Sequence, residues 1–269
     1  MALRTGASGG SGGAIGLALR RLSNMKELLF TLAAIVAGWA LLVETRDIHP
    51  IVLPPPWSVA KALVATPGRF LTEGFISFYE MMLGFAIGGT LGFALAILIF
   101  YSPQMRRALY PYIFAFRVVP KVAFVPLFLI WFGIGLTLKV ILAATSVFFL
   151  VLVQTLLGLT SVDPALIELG HSLKMSEPLL LRRIRLPAAL PAIMVGAKLG
   201  VTYALTIVVV AEMFVATNGL GFLVKDAERF RRTDTMLAIV FVVAVMGILT
   251  YSTARWVERR TTFWYVDDT

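Results

Sequence analysis

Five ionisable residues, Glu80, Arg117, Lys121, Lys198 and Glu212, stand within or at the edge of long apolar stretches, and the search for chemistry starts there. A charge at the centre of a bilayer costs about 2.5 to 3.5 kcal/mol on insertion scales, so such a residue faces a polar path, an ion partner or the interface. Glu212 is flanked by Val208 to Ala211 and by Met213 and Phe214, which places it deepest. It is either a pathway group or a structural carboxylate bonded to hydroxyls or backbone. Arg117 and Lys121 flank Pro120, where a broken helix would free backbone carbonyls beside basic charge. Lys121 and Lys198 also fit snorkelling to the interface or structural pairing. Thr202, Tyr203 and Thr206 add hydroxyls before Glu212, as Ser146, Gln154 and Thr155 do in the preceding apolar stretch. Such groups line a path or bond helix to helix. The candidate path is therefore Arg117, Lys121, Thr202, Tyr203, Thr206 and Glu212.

Other chemistries lack their residues. The chain has no cysteine, and His49 and His171 lie far apart with no H-E-x-x-H spacing, so no metal set is expected. No G-x-x-x-x-G-K-[ST] occurs, no paired carboxylates or Ser-His-Asp spacing stand out, and no cofactor site or catalytic residue is assigned. An enzyme is not the expected reading. The net charge of +9 raises nucleic acid as a ligand, but the basic residues gather at the ends of apolar segments instead of forming a stripe.

The elements that must position these residues are membrane spans. Hydrophobic residues make up 59% of the 269, charged residues only 14%, and the mean hydropathy is +0.88, far from a soluble domain. A hydrocarbon core of about 30 Å takes roughly 20 helical residues. Six stretches approach that length: Leu28 to Val43, Ile76 to Tyr101, Tyr112 to Phe132 (broken by Pro120 and Pro126), Leu138 to Leu159, Ile193 to Val215 and Thr235 to Val257. The chain thus divides into a disordered basic N-terminus over 1–26, a membrane domain over 27–260 containing a polar loop at about 161–191, and a tail over 261–269. The basic residues before the first span, with Arg106, Arg107, Lys174, Arg182, Arg183, Arg185, Arg255, Arg259 and Arg260, place the loop and both termini in the cytoplasm. The opposite set carries Lys225, Arg229, Arg231 and Arg232, partly balanced by acids.

Gly84, Gly88 and Gly92 form a small-residue face on the second span, and Gly196, Gly200 and Ala204 repeat it on the fifth. Both predict close helix packing, within one chain or between two. Pro54-Pro55-Pro56-Trp57-Ser58 predicts an extended turn, with Ser58 capping a short helix through Leu63.

The loop between the fourth and fifth spans is too polar to cross and too patterned to be a passive linker. Pro164 starts a helix that Ala165 to Leu173 continue, and Ser176 with Pro178 caps and opens a second. Leu166, Leu169 and Leu173 share one stripe of the first helix, and Leu180, Leu181 and Ile184 one of the second. Such stripes need a covering surface, either the underside of the bundle or another protein.

This segment resembles the EAA loop of binding-protein-dependent permeases in ATP-binding-cassette importers, carried here by Glu168, Ile184, Leu186 and Pro187. The resemblance extends over nearly the whole chain through Leu53-Pro54-Pro55-Pro56-Trp57-Ser58-Val59, the Pro120 to Gly135 stretch, and Val210-Ala211-Glu212-Met213 leading to Gly219-Leu220-Gly221. It is nearest the nitrate, sulfonate, taurine and bicarbonate class. Two departures stand out: Leu169 and Gly170 replace the alanines after the leading glutamate, and Lys174 replaces a glycine. A left-handed turn at Lys174 costs about 1 to 2 kcal/mol that glycine avoids, so the turn is either displaced or made another way.

The resemblance implies an all-α, type I importer permease (MetI-like) fold with six spans in the bacterial inner membrane. It implies a homodimer with a second permease copy, two ATPase subunits that hold the ATP and Mg, and an extracytoplasmic substrate-binding protein. The coupling loop would use Glu168, Gly170, His171, Ser172, Leu173, Lys174, Met175, Ser176, Glu177 and Pro178. The expected cargo is a small solute such as a sulfonate, taurine, nitrate, bicarbonate or an organic acid. The alternative is a secondary transporter driven by an ion gradient, which would want inverted repeats, discontinuous helices at midplane and coupling carboxylates.

Overall fold

The computed structural model describes residues 10–215 and 217–264, and every element among them is helical. The helices are α1 (Gly10–Thr45), α2 (Pro56–Ala65), α3 (Pro67–Tyr101), α4 (Pro103–Val118), α5 (Val125–Phe132), α6 (Leu136–Thr160), α7 (Pro164–Ser172), α8 (Glu177–Leu180), α9 (Leu186–Val215), α10 (Leu220–Arg229) and α11 (Thr233–Thr261). A π turn at Leu181–Arg185 joins α8 to α9, so Glu177–Val215 runs as one 39-residue helix.

The glycine stripes pack inside the chain. Helix α6 is central, gripped by α3 on one side and α9 on the other. A Cβ at Gly84 would overlap that of Ala143, and one at Gly88 would overlap the Ala144 carbonyl. A Cβ at Gly196 would stand 2.8 Å from Gln154 Cβ, and Ala204 is fully buried. Close backbone approach of this kind substitutes for a hydrophobic driving force that lipid does not supply. Met81, Val147, Ala204 and Val208 fill the centre, while Val59, Phe70, Leu223 and Ile239 form a second cluster under α2 and α10.

Among the described residues, four helices are long and apolar enough to cross a membrane: α3, α6, α8–α9 and α11. The first expected span is the apolar stretch Leu29–Thr45 at the end of α1. The third divides into the end of α4, a 3₁₀ turn over Lys121–Phe124, and α5. Pro120 lacks an N–H and forces the preceding Val119 into extended backbone, φ −66° and ψ 126°, which ends α4.

Three local expectations change. Helix α1 begins at Gly10, inside the stretch expected to be disordered over 1–26, because Ala14 to Leu22 is rich in strong helix formers that extend the span backwards. Residues 1–9, and the tail beyond 264, lie outside the described residues. Ser58 is no cap: its amide and hydroxyl both donate to the Pro55 carbonyl, at 3.0 and 2.7 Å, and Pro55 holds the N-cap position with Pro56 opening α2. Ser176 occupies the N-cap of α8 without a side-chain bond, and Pro178 is that helix's second residue.

Candidate functional sites at the two ends of one long helix

Toward the C-terminal end of α9 the chain builds a buried polar clamp. Ser77 of α3 donates its hydroxyl to the Glu212 carboxylate at 2.7 and 2.9 Å. Both residues are buried, Glu212 at 1% exposure. Helix α10 starts against this pair. The first amides of a helix have no partner within it, and a buried start must find them elsewhere. Here three consecutive amides are met in turn: Gly219 N–H donates to Glu73 Oε2 at 2.6 Å, Leu220 N–H to Ser77 Oγ at 2.8 Å and Gly221 N–H to Glu212 Oε2 at 2.7 Å. Two carboxylates at a helix N-terminus also complement its positive end.

The Gly219-Leu220-Gly221 string follows from this geometry. Gly219 has φ +99°, and a side chain there would run into the Glu212 carboxylate. A Cβ at Gly221 would overlap the Val209 carbonyl. Beside the clamp, Glu80 of α3 and Lys139 of α6 form an ion pair with side chains only 4% and 3% exposed. Lys139 also donates to Asn218 Oδ1 at 3.2 Å, so the loop into α10 is tied to α6 as well.

Sequence reasoning missed Glu73, Ser77, Lys139 and Asn218. The first two carried a signal, because Glu73, Ser77 and Glu80 recur at spacings of four and three and so share one face of α3. Lys139 falls at a span boundary, where snorkelling would account for a cation without any partner.

The candidate path residues do not converge. Thr202, Tyr203 and Thr206 lie together on an exposed face of α9, where Thr202 and Thr206 also donate to the carbonyls of Lys198 and Thr202 at 3.0 and 3.2 Å. Glu212 is turned away into the clamp. Lys121 sits in the 3₁₀ turn, its Nζ 5.8 Å from the Phe149 ring centroid, at a cavity of about 220 Å³ that Phe128 and Trp131 also line. The backbone of Arg117 belongs to α4, and its side chain lies outside the described residues. Lys198 pairs with Glu258 of α11 at 2.6 Å.

The N-terminal end of the same long helix carries the hairpin. Asp163 caps α7, accepting from the Ala165 amide at 2.8 Å, with Pro164 at the first helical position. The turn is neither displaced nor avoided: Lys174 itself adopts φ +53°. Its amide donates to the His171 carbonyl at 2.9 Å and that of Met175 to Gly170 at 3.0 Å, which is a complete Schellman ending. Gly170 is buried against α8, where a Cβ would stand 2.7 Å from Leu180 Cδ1 and 3.0 Å from Ile184 Cδ1. Packing against the second helix thus accounts for glycine in place of alanine.

The rest of the hairpin is open. Glu168, His171, Ser172, Leu173, Lys174, Ser176, Glu177 and Pro178 are exposed and Met175 is half-buried. His171 Nε2 stands 3.6 Å from Glu177 Oε1 across the turn. The two leucine stripes have separate fates. Leu180 and Leu181 are buried under the bundle, whereas Leu166, Leu169 and Leu173 remain 43%, 55% and 68% exposed.

Residues 88–263 match the family described as binding-protein-dependent transport system inner membrane component. Curated relatives include the taurine transport system permease protein TauC of Escherichia coli, 34% identical over 87% of this chain and 88% of the relative. The putative aliphatic sulfonates transport permease protein SsuC of Bacillus subtilis is also 34% identical, over 91% and 89%. Among solved structures, an inward-facing MetNI methionine ABC transporter superposes with a TM-score of 0.66 over 74% of this chain and 98% of that one, at 14% identity. An amino acid ABC transporter crystallised with histidines gives 0.63 over 74% and 96%, at 21% identity.

Proposed function

The chain belongs to the family of binding-protein-dependent transport system inner membrane components, and from that premise we propose how its two ends divide the work of moving a solute. It is the membrane-spanning permease subunit of an ABC importer, with the fold of the MetI-type permeases, and not an enzyme. Family membership implies an ATPase and a binding protein as partners.

The cargo in our reading is a small anion of the taurine and alkanesulfonate class, supported by the relatives named above. Two permease copies pair, and two ATPase chains hold the ATP and Mg. The hairpin and both termini face the cytoplasm, supported by the arginines at 182, 183 and 185 beside the hairpin and at 255, 259 and 260 closing α11. Glu168 to Pro178 seat in a groove of the ATPase, which covers Leu166, Leu169 and Leu173.

The observation that carries this reading is the continuity of α8 with α9. Glu177–Val215 spans about 58 Å at 1.5 Å per residue. Closure of the ATPase dimer then moves the hairpin, and the long helix carries that motion to the exposed Thr202, Tyr203 and Thr206 face. The clamp at Glu212 makes α3, α9 and α10 shift as one body, so the end facing the binding protein changes with the end facing the ATPase. Differential binding of ATP to two arrangements is all that this population shift requires.

The test uses proteoliposomes holding the permease, its ATPase and its binding protein. Labelled taurine or an alkanesulfonate is taken up only with ATP inside the compartment that holds the ATPase, and Leu173→Cys or Ser176→Cys crosslinks to the ATPase. Because the chain has no cysteine of its own, the crosslink reports that position alone. Gradient-driven uptake by the isolated chain, or no crosslink from either position, overturns the reading.

A further inference from the structure

A cavity of about 830 Å³ opens between α6, α9 and α11, lined among others by Gln154, Val195, Lys198, Arg255, Glu258 and Arg259. It belongs to the hairpin half of the bundle. Gln154 lies in the last two turns of α6, which runs directly into the hairpin, and the α11 residues lie in that helix's last two turns. Among the described residues, three cations face a single carboxylate. Lys198 and Glu258 pair at 2.6 Å with side chains 17% exposed, while Arg255 and Arg259 have no ion pair among the described residues. Pro191, Ala192, Val195 and Phe263 complete an apolar wall. Arg255 and Arg259 are exposed, and the excess of basic groups on the described lining favours an anion over a cation in the cavity.

We propose that this cavity binds an oxyanion group (phosphate, sulfonate or carboxylate) between Lys198, Arg255 and Arg259, with Glu258 as the built-in competitor for Lys198. Guanidinium groups match such oxygens through parallel N–H bonds, and the apolar wall accepts the carbon chain that carries the anion. Lys198 is the switchable member, because an incoming anion replaces Glu258 as its counter-charge. The cavity shares the α9 face of Thr202 and Thr206, spaced at i+4 and i+8 from Lys198, so an occupant would sit at the foot of that face. The inference does not depend on which solute the permease carries. The same chemistry is offered by the headgroup of an anionic phospholipid and by a free organic anion.

The experiment separates these sources. The permease–ATPase complex is placed in nanodiscs of phosphatidylcholine with or without phosphatidylglycerol, and lipids retained by the complex are counted by native mass spectrometry. In pure phosphatidylcholine discs, methanesulfonate is titrated calorimetrically. Retained phosphatidylglycerol identifies a headgroup, and saturable methanesulfonate binding identifies a free anion. In either arm Arg255→Gln with Arg259→Gln weakens binding by about thirty-fold, the factor two basic residues contribute at an anionic surface. Glu258→Gln releases Lys198 and strengthens binding several-fold, which provides a readout should the double variant not fold. Binding of neither probe, binding unchanged in the double variant, or weaker binding in Glu258→Gln overturns the proposal.

Discussion

The two ends of the long helix Glu177–Val215 are finished in opposite ways. At the Glu212 end, three successive amides of α10 meet acceptors from two other helices, the Glu80–Lys139 pair is buried beside them, and Gly219 and Gly221 leave no room for a side chain. At the hairpin end the backbone is equally well bonded, yet the Leu166, Leu169 and Leu173 stripe stays largely exposed among the described residues. Exposed apolar patches ringed by polar residues mark interaction sites. One end is therefore closed by residues of the same chain, and the other leaves an apolar stripe open. In the proposed coupling, motion entering at the open end would arrive where α3, α9 and α10 are already bonded together.

The contrast breaks most severely at Lys139. Lys139→Met leaves the Glu80 carboxylate buried without its cation, and losing one partner of a buried pair costs about 3 to 5 kcal/mol. The purified complex should melt well below wild type. Adding Glu80→Gln in the same chain should restore most of the loss, since removing both charges is far milder than removing one. A Lys139→Met protein that melts with wild type would show that the clamp end is not sealed.

At the other end the expected effect is smaller and falls on assembly. Leu173→Asp changes an exposed side chain, so stability of the permease should move by no more than about 0.5 kcal/mol. If the stripe is a docking surface, ATPase binding should fall by about 2 kcal/mol, roughly thirty-fold, as for a central interface residue. Thermal melting together with titration of the ATPase separates the two quantities. Unchanged affinity would mean that the stripe faces lipid or solvent.

How much of this was legible in the sequence follows from how local each feature is. The glycine stripes and the two hairpin helices rest on spacings of three and four residues and are found where they were expected, apart from the Ser176 cap and the position of Pro178. The break at Pro120 was legible for the same reason, since proline acts on its immediate neighbours. The clamp was not, because Ser77 and Glu212 meet across 135 positions and only the packed register of α3 against α9 brings them together. Glu212 accordingly drew attention as a lone acid in an apolar run, while its bonding partners did not. Thr202, Tyr203 and Thr206 share a face with one another but not with Glu212, a difference that helical phase within α9 already contains.

The smallest expected effect probes how the hairpin turn is held. Lys174, Asp47 and Arg231 are the non-glycine residues with positive φ among those described, and each follows the end of a helix. At Lys174 the two Schellman bonds hold the left-handed backbone in place although lysine disfavours it. The turn is held by backbone bonds and the lysine side chain is exposed, so Lys174→Gly should relieve the steric cost and stabilise by about 0.5 to 1 kcal/mol, less whatever the unfolded chain gains in freedom. Melting temperature should rise slightly while ATPase affinity stays at wild-type level. Lys174→Ala, which keeps the Cβ and removes the charge, should leave stability unchanged. Lowered ATPase affinity in both variants would instead assign the ammonium group to the interface, and the residue would then be retained for contact at the expense of local strain.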